Sequence, residues 1–216
     1  MASVESLRAD VARDPTNEAA WRELLGELKK DPDAADQVRV VYEDLLRQYP
    51  TAAVYWKEYC DFELRTSGEE AVKSLFGRCL LRCPVPELWR MYIRIIRKTT
   101  DPQGPSGLPE IRQALEFTLD RLGEDCASGP IWEEYLDLLF SPPPGSEACL
   151  ALFGPDPGTR AAALRTAYQR ALSAPHSALE SAWQAYEAFE QSGSNRTLSK
   201  RALDEWRPRY HAARAL

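Results

Sequence analysis

Five tryptophans recur along the chain, each opening a segment of one pattern, and this repetition constrains the fold more than any other feature. Trp21, Trp56, Trp89, Trp132 and Trp183 open WRELLGEL, WKEYCDFE, WRMYIRII, WEEYLDLL and WQAYEAFE. Three residues after each comes Leu24, Tyr59, Tyr92, Tyr135 or Tyr186. Apolar residues follow at the sixth or seventh place, among them Phe62, Ile95 with Ile96, Leu138 with Leu139, and Phe189. Such spacing marks one face of an α-helix, so these segments read as a series of A helices.

A second pattern answers each of the first four. VYEDLL around Tyr42, LFGRCL around Phe76, ALEFTL around Leu115 and AYQRAL around Tyr168 each place an aliphatic residue four places on, at Leu46, Leu80, Leu119 and Leu172. These read as B helices. A fifth, looser one runs from about Thr197 through Trp206, and Pro208 is expected to kink or end it, because proline cannot donate the helical hydrogen bond. Asp31-Pro32 offers an N-cap and first-turn proline, while Pro50, Pro84 and Pro175 follow B helices and Gly68, Gly123 and Gly193 sit at other turns. The expected architecture is all-α, an α-α superhelix or solenoid of about five hairpins forming a single domain over 1–216, with hairpins at about 17–50, 52–84, 86–123, 129–175 and 179–214.

The tryptophan intervals are 35, 33, 43 and 51 residues, so the later units carry insertions. Both insertions, 99–109 and 141–158, are rich in Pro and Gly and are expected to be loops between an A helix and its own B helix, the second holding one apolar patch from Cys149 to Phe153. A lone hairpin cannot bury enough surface to offset its ordering entropy, so the aromatic row is expected to form the core: Trp21, Tyr42, Trp56, Tyr59, Phe76, Trp89, Tyr92, Leu115, Trp132, Tyr135, Tyr168, Trp183 and Tyr186.

Charge and chemistry narrow the function. The formal net charge of −6 opposes dense phosphate neutralisation. Basic residues do cluster at Arg78 and Arg82, at Arg90, Arg94, Arg97 and Lys98, and at Lys200, Arg201, Arg207, Arg209 and Arg214, although a helix C-terminus attracts cations such as Arg97 and Lys98 without any ligand. Arg90, Arg94, Arg97 and Lys98, with Arg201, Arg207, Arg209 and Arg214, are the candidate partner-binding residues. His176 and His211 stand apart from any nucleophile motif, no Gly-rich phosphate loop is present, and the five cysteines contain no CxxC pair. The sequence therefore calls for no catalytic residue, no cofactor and no metal. It shows neither a signal peptide nor an apolar run of about 18 residues that would span a membrane.

W-x-x-Y in one helix, then an aromatic and an aliphatic residue in the next, then proline, resembles the HAT (half-a-TPR) repeat of RNA-processing proteins. The ordered stretches RVVYEDLLRQYPTAAVYWKEYCDFEL, VKSLFGRCLLRCPVPELWRMYIRIIRKT and ALEFTLDRLGEDCASGPIWEEYLDLL, followed by AYQRAL and AWQAYEAFE, resemble the N-terminal HAT domain of the scaffold-subunit family of cleavage stimulation factor. That resemblance covers about Asn17 to Leu216, with Pro208 and the insertion after Phe140 as departures. It implies a nuclear, non-catalytic scaffold in pre-mRNA 3'-end cleavage and polyadenylation whose partners are other 3'-end processing proteins. A HAT scaffold of splicing or ribosome biogenesis, or a module with weak RNA contact, is the alternative. The resemblance further implies that homodimerisation belongs to a second, C-terminal HAT domain beyond Leu216. The apolar residues of RALDEWRPRYHAARAL carry the same expectation of a following domain.

Overall fold

The computed structural model describes residues 3–100, 107–193 and 195–216. Among them are twelve α-helices, two 3-10 turns and no strand. The chain divides into two compact units, Met1–Leu88 and Trp89–Leu216.

The first unit opens on α1 (Val4–Arg13), which the tryptophan pattern does not announce. Ser3 caps it by accepting from the Ser6 amide at 3.2 Å, and Leu7 and Val11 form its buried stripe. It packs on α2 (Glu18–Leu28), which pairs with α3 (Ala35–Gln48). Asn17 caps α2, and Asp31 caps the 3-10 turn Pro32–Ala34 that leads into α3. Then α4 (Ala53–Thr66) turns through Gly68, whose φ of +85° suits glycine, into α5 (Glu69–Cys79). Helices α3 and α4 also pack on each other, so consecutive hairpins share a core.

In the second unit α6 (Pro86–Thr99, its first three residues lying in the first unit) is followed by α7 (Gly107–Leu122), then α8 (Gly129–Phe140), α10 (Pro157–Ala171), α11 (Leu179–Gln191) and α12 (Arg196–Arg214). Most of the loop expected at 99–109 lies outside the described residues, and its last three positions already belong to α7.

Two expectations are corrected. The insertion 141–158 is not simply a loop, for it folds a further helix, α9 (Glu147–Phe153), capped by Ser146 and packed against α7 and α10. Cys149, Leu152 and Phe153 are buried there, so the apolar patch is core. Pro208, expected to kink or end the last helix, does not end it. Tyr210 and Ala213 beyond it are buried, and Tyr210 stacks on Trp183 at 4.9 Å, which holds the final turns on α11 despite the missing hydrogen bond. Asp204 and Pro208 are both exposed, so water can serve the carbonyl left unpaired.

Candidate interaction surfaces

The repeated residues make a repeated set of contacts, and these decide which polar groups remain for a partner. Three of the A-helix tryptophans close the turn before their own helix. Trp21 Nε1 donates to the Pro15 carbonyl, Trp56 Nε1 to Pro50 and Trp132 Nε1 to Gly123, all at 2.9 Å. Gly123 is needed there, because a Cβ would sit 2.5 Å from the Leu119 carbonyl and 3.1 Å from the Trp132 ring. Trp21, Trp56, Trp89, Trp132 and Trp183 are all buried.

The tyrosines reach back to the preceding hairpin. Tyr59 donates to Glu43 at 3.3 Å and Tyr135 to Glu116 at 2.8 Å, while Tyr186 accepts from Gln169 at 3.3 Å. Burial, then the Glu43 charge, pushes the Tyr59 phenol up to about 12. The B-helix aromatics meet the same residues: Tyr42 stacks on Tyr59 at 4.8 Å and Tyr168 on Tyr186, tilted, at 5.8 Å. Phe76 and Leu115 are buried, and Tyr92, half-buried, lies edge-on to Trp89 at 6.5 Å.

A second recurring set was not singled out in the sequence. Arg39 clasps Glu63 through two bonds of 2.7 and 3.3 Å, and Arg165 clasps Glu190 through two of 2.6 and 3.1 Å. Each arginine lies three residues before the B-helix tyrosine, each glutamate seven after the next tryptophan. Glu63 and Glu190 are only 5% and 4% exposed. Burial alone would raise the Glu63 carboxyl, but Arg39 together with the Ser67 and Thr66 hydroxyls outweighs it and holds it below its ordinary value. The signal was available: aligning the segments on tryptophan brings the two Arg–Glu pairs into register. The third hairpin has Arg112 at that place but Leu139 as its acceptor position, and Arg112 turns to Glu116, the Leu152 carbonyl and the Phe153 ring, so α9 supplies the missing acceptor.

Arginines also cover tryptophan faces. Arg78 lies over Trp56 at 5.3 Å while pairing with Glu43, and Arg170 over Trp132 at 5.4 Å while pairing with Asp120.

The candidate partner residues are therefore not equivalent. Arg97 pairs with Glu134 at 2.6 Å, Arg207 with Glu187 at 3.6 Å while over Trp183, and Arg214 with Glu180 at 3.4 Å. Arg209 stacks on Trp206 at 4.3 Å, and Lys98 is exposed but also engaged. Arg90, Arg94 and Arg201 are exposed and make no ion pair among the described residues. His176 is buried in the turn before α11, stacked on Trp132 at 5.7 Å with Nε2 3.1 Å from the Ala171 carbonyl. His211 is exposed beside Tyr210. Among the described residues no group of three or more His, Cys, Asp or Glu side chains could hold a metal ion, and no helix is long and apolar enough to cross a membrane.

The family described as Suppressor of forked protein (Suf) matches residues 2–216. The chain belongs to the Suf family. Cleavage stimulation factor subunit 77 of Arabidopsis thaliana is 41% identical over 180 residues, covering 83% of this chain and 23% of that protein. The mRNA 3'-end-processing protein rna14 of Schizosaccharomyces pombe is 32% identical over 212 residues, covering 98% of this chain and 28% of that protein. This Suf-family chain thus spans about a quarter of the length of these relatives. The crystal structure of CstF-77 superposes with a TM-score of 0.61 over 76% of this chain and 32% of that one, at 23% identity, which establishes the shared helical-repeat fold.

Proposed function

We propose that this chain is a non-catalytic protein-interaction scaffold acting in nuclear pre-mRNA 3'-end cleavage and polyadenylation, its hairpins working as one HAT-repeat domain. The observation that carries this reading is the Suf match across nearly the whole chain, with relatives named as a cleavage stimulation factor subunit and an mRNA 3'-end-processing protein. The side chains support it. Both histidines sit beside aromatic rings, and most of the candidate arginines serve the fold's own ion pairs and ring contacts. A net charge of −6 with three unpaired candidate arginines suits protein partners better than phosphate tracking.

A pull-down from nuclear extract followed by mass spectrometry tests the assignment. Recovery of 3'-end processing proteins is expected, whereas recovery of only splicing or ribosome-assembly proteins overturns it. RNA titration at near-physiological salt tests the interaction class. Sub-micromolar binding lost on charge reversal of Arg90 and Arg94 would replace the protein-scaffold reading with an RNA-binding one.

A further inference from the structure

The seam between successive A helices is locked in one place and open in another, and the sequence register shows why. In the first unit Lys29, eight residues after Trp21, pairs with Glu58, two residues after Trp56, at 3.4 Å. Lys29 also covers the Tyr42 ring at 5.0 Å, and the Tyr42 hydroxyl donates to Glu58 at 3.3 Å. In the second unit the same two positions hold Arg97 and Glu134, paired at 2.6 Å. Between α8 and α11 those positions are Phe140 and Ala185, and no lock forms.

The change extends along the whole face of α11. Where α4 carries Val54, Glu58, Asp61 and Arg65, α11 carries Ser181, Ala185 and Ala188, with Ser192 at its C-cap. A groove of about 410 Å³ results, floored by Leu136, Ala182 and Tyr168 and walled by Phe140, itself 54% exposed. Tyr168, the counterpart of Tyr42, lines this groove and is 3% exposed, yet its hydroxyl has no hydrogen-bond partner among the described residues because Glu58's counterpart is Ala185. The Tyr168 oxygen opens to the groove, where water serves it in the free chain and a partner's polar group takes the place of that water on docking. Along the α8 wall stand the exposed carboxylates Glu133 and Asp137, one turn apart. They accept only from the Ser181 and Ser141 hydroxyls, and neither meets a cation among the described residues.

We infer that the α8–α11 groove docks a short segment of a partner protein that presents a Lys or Arg beside a bulky apolar side chain. The apolar side chain packs against Phe140, Leu136 and the alanines of α11, whose small size lets the partner's backbone come close. The partner's cation meets Glu133 and Asp137, and one of its polar groups satisfies the Tyr168 hydroxyl. In effect the partner supplies what Lys29 and Glu58 supply to the first seam. The inference deepens the scaffold reading and rests on its claim that this chain holds protein partners.

The test is selection of a random dodecapeptide display library on the full chain, with affinities of the enriched peptides read by fluorescence anisotropy. Enrichment of sequences with Lys or Arg adjacent to a bulky apolar residue is expected. Those peptides should bind at least tenfold more weakly to the double variant Phe140→Lys, Ala185→Glu, which rebuilds the lock this protein already uses. The double variant Glu133→Lys, Asp137→Lys, altered only at exposed positions, should weaken binding to a similar extent and remove its salt dependence. No enrichment, enrichment without a cation, or unchanged affinity for both variants overturns the proposal. So does a self-associated species in sedimentation that the rebuilt lock abolishes, which would assign the groove to a second copy, or displacement of the peptides by a uridine-rich oligonucleotide. A failed selection beside an intact pull-down would sink the groove alone. Failure of the pull-down would sink the process assignment and leave the groove standing.

Discussion

At the scale of single residues, Trp21, Trp56 and Trp132 combine apolar area with one directed hydrogen bond. Trp132→Ala removes both the buried ring and the bond that closes the Gly123 turn, and is expected to cost about 3 to 5 kcal/mol in chemical denaturation. Trp132→Phe keeps most of the area and leaves the Gly123 carbonyl its second donor, the Ser128 hydroxyl at 3.1 Å, so it should cost only about 0.5 to 1.5 kcal/mol. A larger loss for Phe than for Ala would contradict the ordering. His176 yields a pH prediction. Burial lowers its pKa, against the opposing pull of the Ala171 carbonyl and Glu133, so the folded chain binds this proton less readily than the unfolded chain. Stability is therefore intact above the ordinary histidine value of about 6.5 and falls as pH drops from there toward the lowered folded value. His176→Gln should flatten the dependence of the thermal midpoint on pH between about 7 and 5. An unchanged slope would show that the ring does not titrate in the way burial demands.

At the scale of helices, the clasps between hairpins exchange charge for apolar contact without altering the fold. At the positions equivalent to Glu63 and Glu190 the other A helices carry Leu28, Ile96 and Leu139. Glu63→Leu alone leaves Arg39 with Asp36 and Ser67 as its remaining partners and is expected to cost about 1 to 3 kcal/mol, whereas Glu63→Leu with Arg39→Met should return to within about 1 kcal/mol of the native chain. A double-mutant cycle by urea denaturation measures both, and additive losses would deny the coupling. Helix α12 tolerates Pro208 because Tyr210 and Ala213 anchor its end. Pro208→Ala restores an amide donor in an exposed turn and should stabilise by about 1 to 3 kcal/mol, read as a higher thermal midpoint. A lower midpoint would mean that the proline sets a bend the last hairpin needs.

At the scale of the whole molecule, stability in a repeat chain is a sum of hairpin and nearest-neighbour terms. Within Trp89–Leu216, α9 joins that sum by offering the Leu152 carbonyl and the Phe153 ring to Arg112. Replacing 142–155 with a short Gly/Ser linker should therefore lower the thermal midpoint. A dispensable loop would leave it unmoved, so differential scanning calorimetry of the deletion separates the two. The loss should appear in the transition of this unit alone.

The sequence by itself determined the fold class and the family, because both rest on periodicity: a tryptophan every few dozen residues with a tyrosine one turn on states a helical face, and the order of such faces states the family. Helix α1 carries no tryptophan, α9 is a seven-residue patch among prolines, and α12 continues past Pro208, so local pattern argued against each. Only tertiary packing decided them, since each owes its helix to a buried stripe contributed by a neighbour. The same division runs through the candidate surfaces. Charge clusters were visible in the sequence, but whether Arg97 is available or spent depends on Glu134, 37 residues away. The open seam at α11 has the same origin, for the absence of a glutamate matters only where the fold puts a tyrosine hydroxyl beneath it.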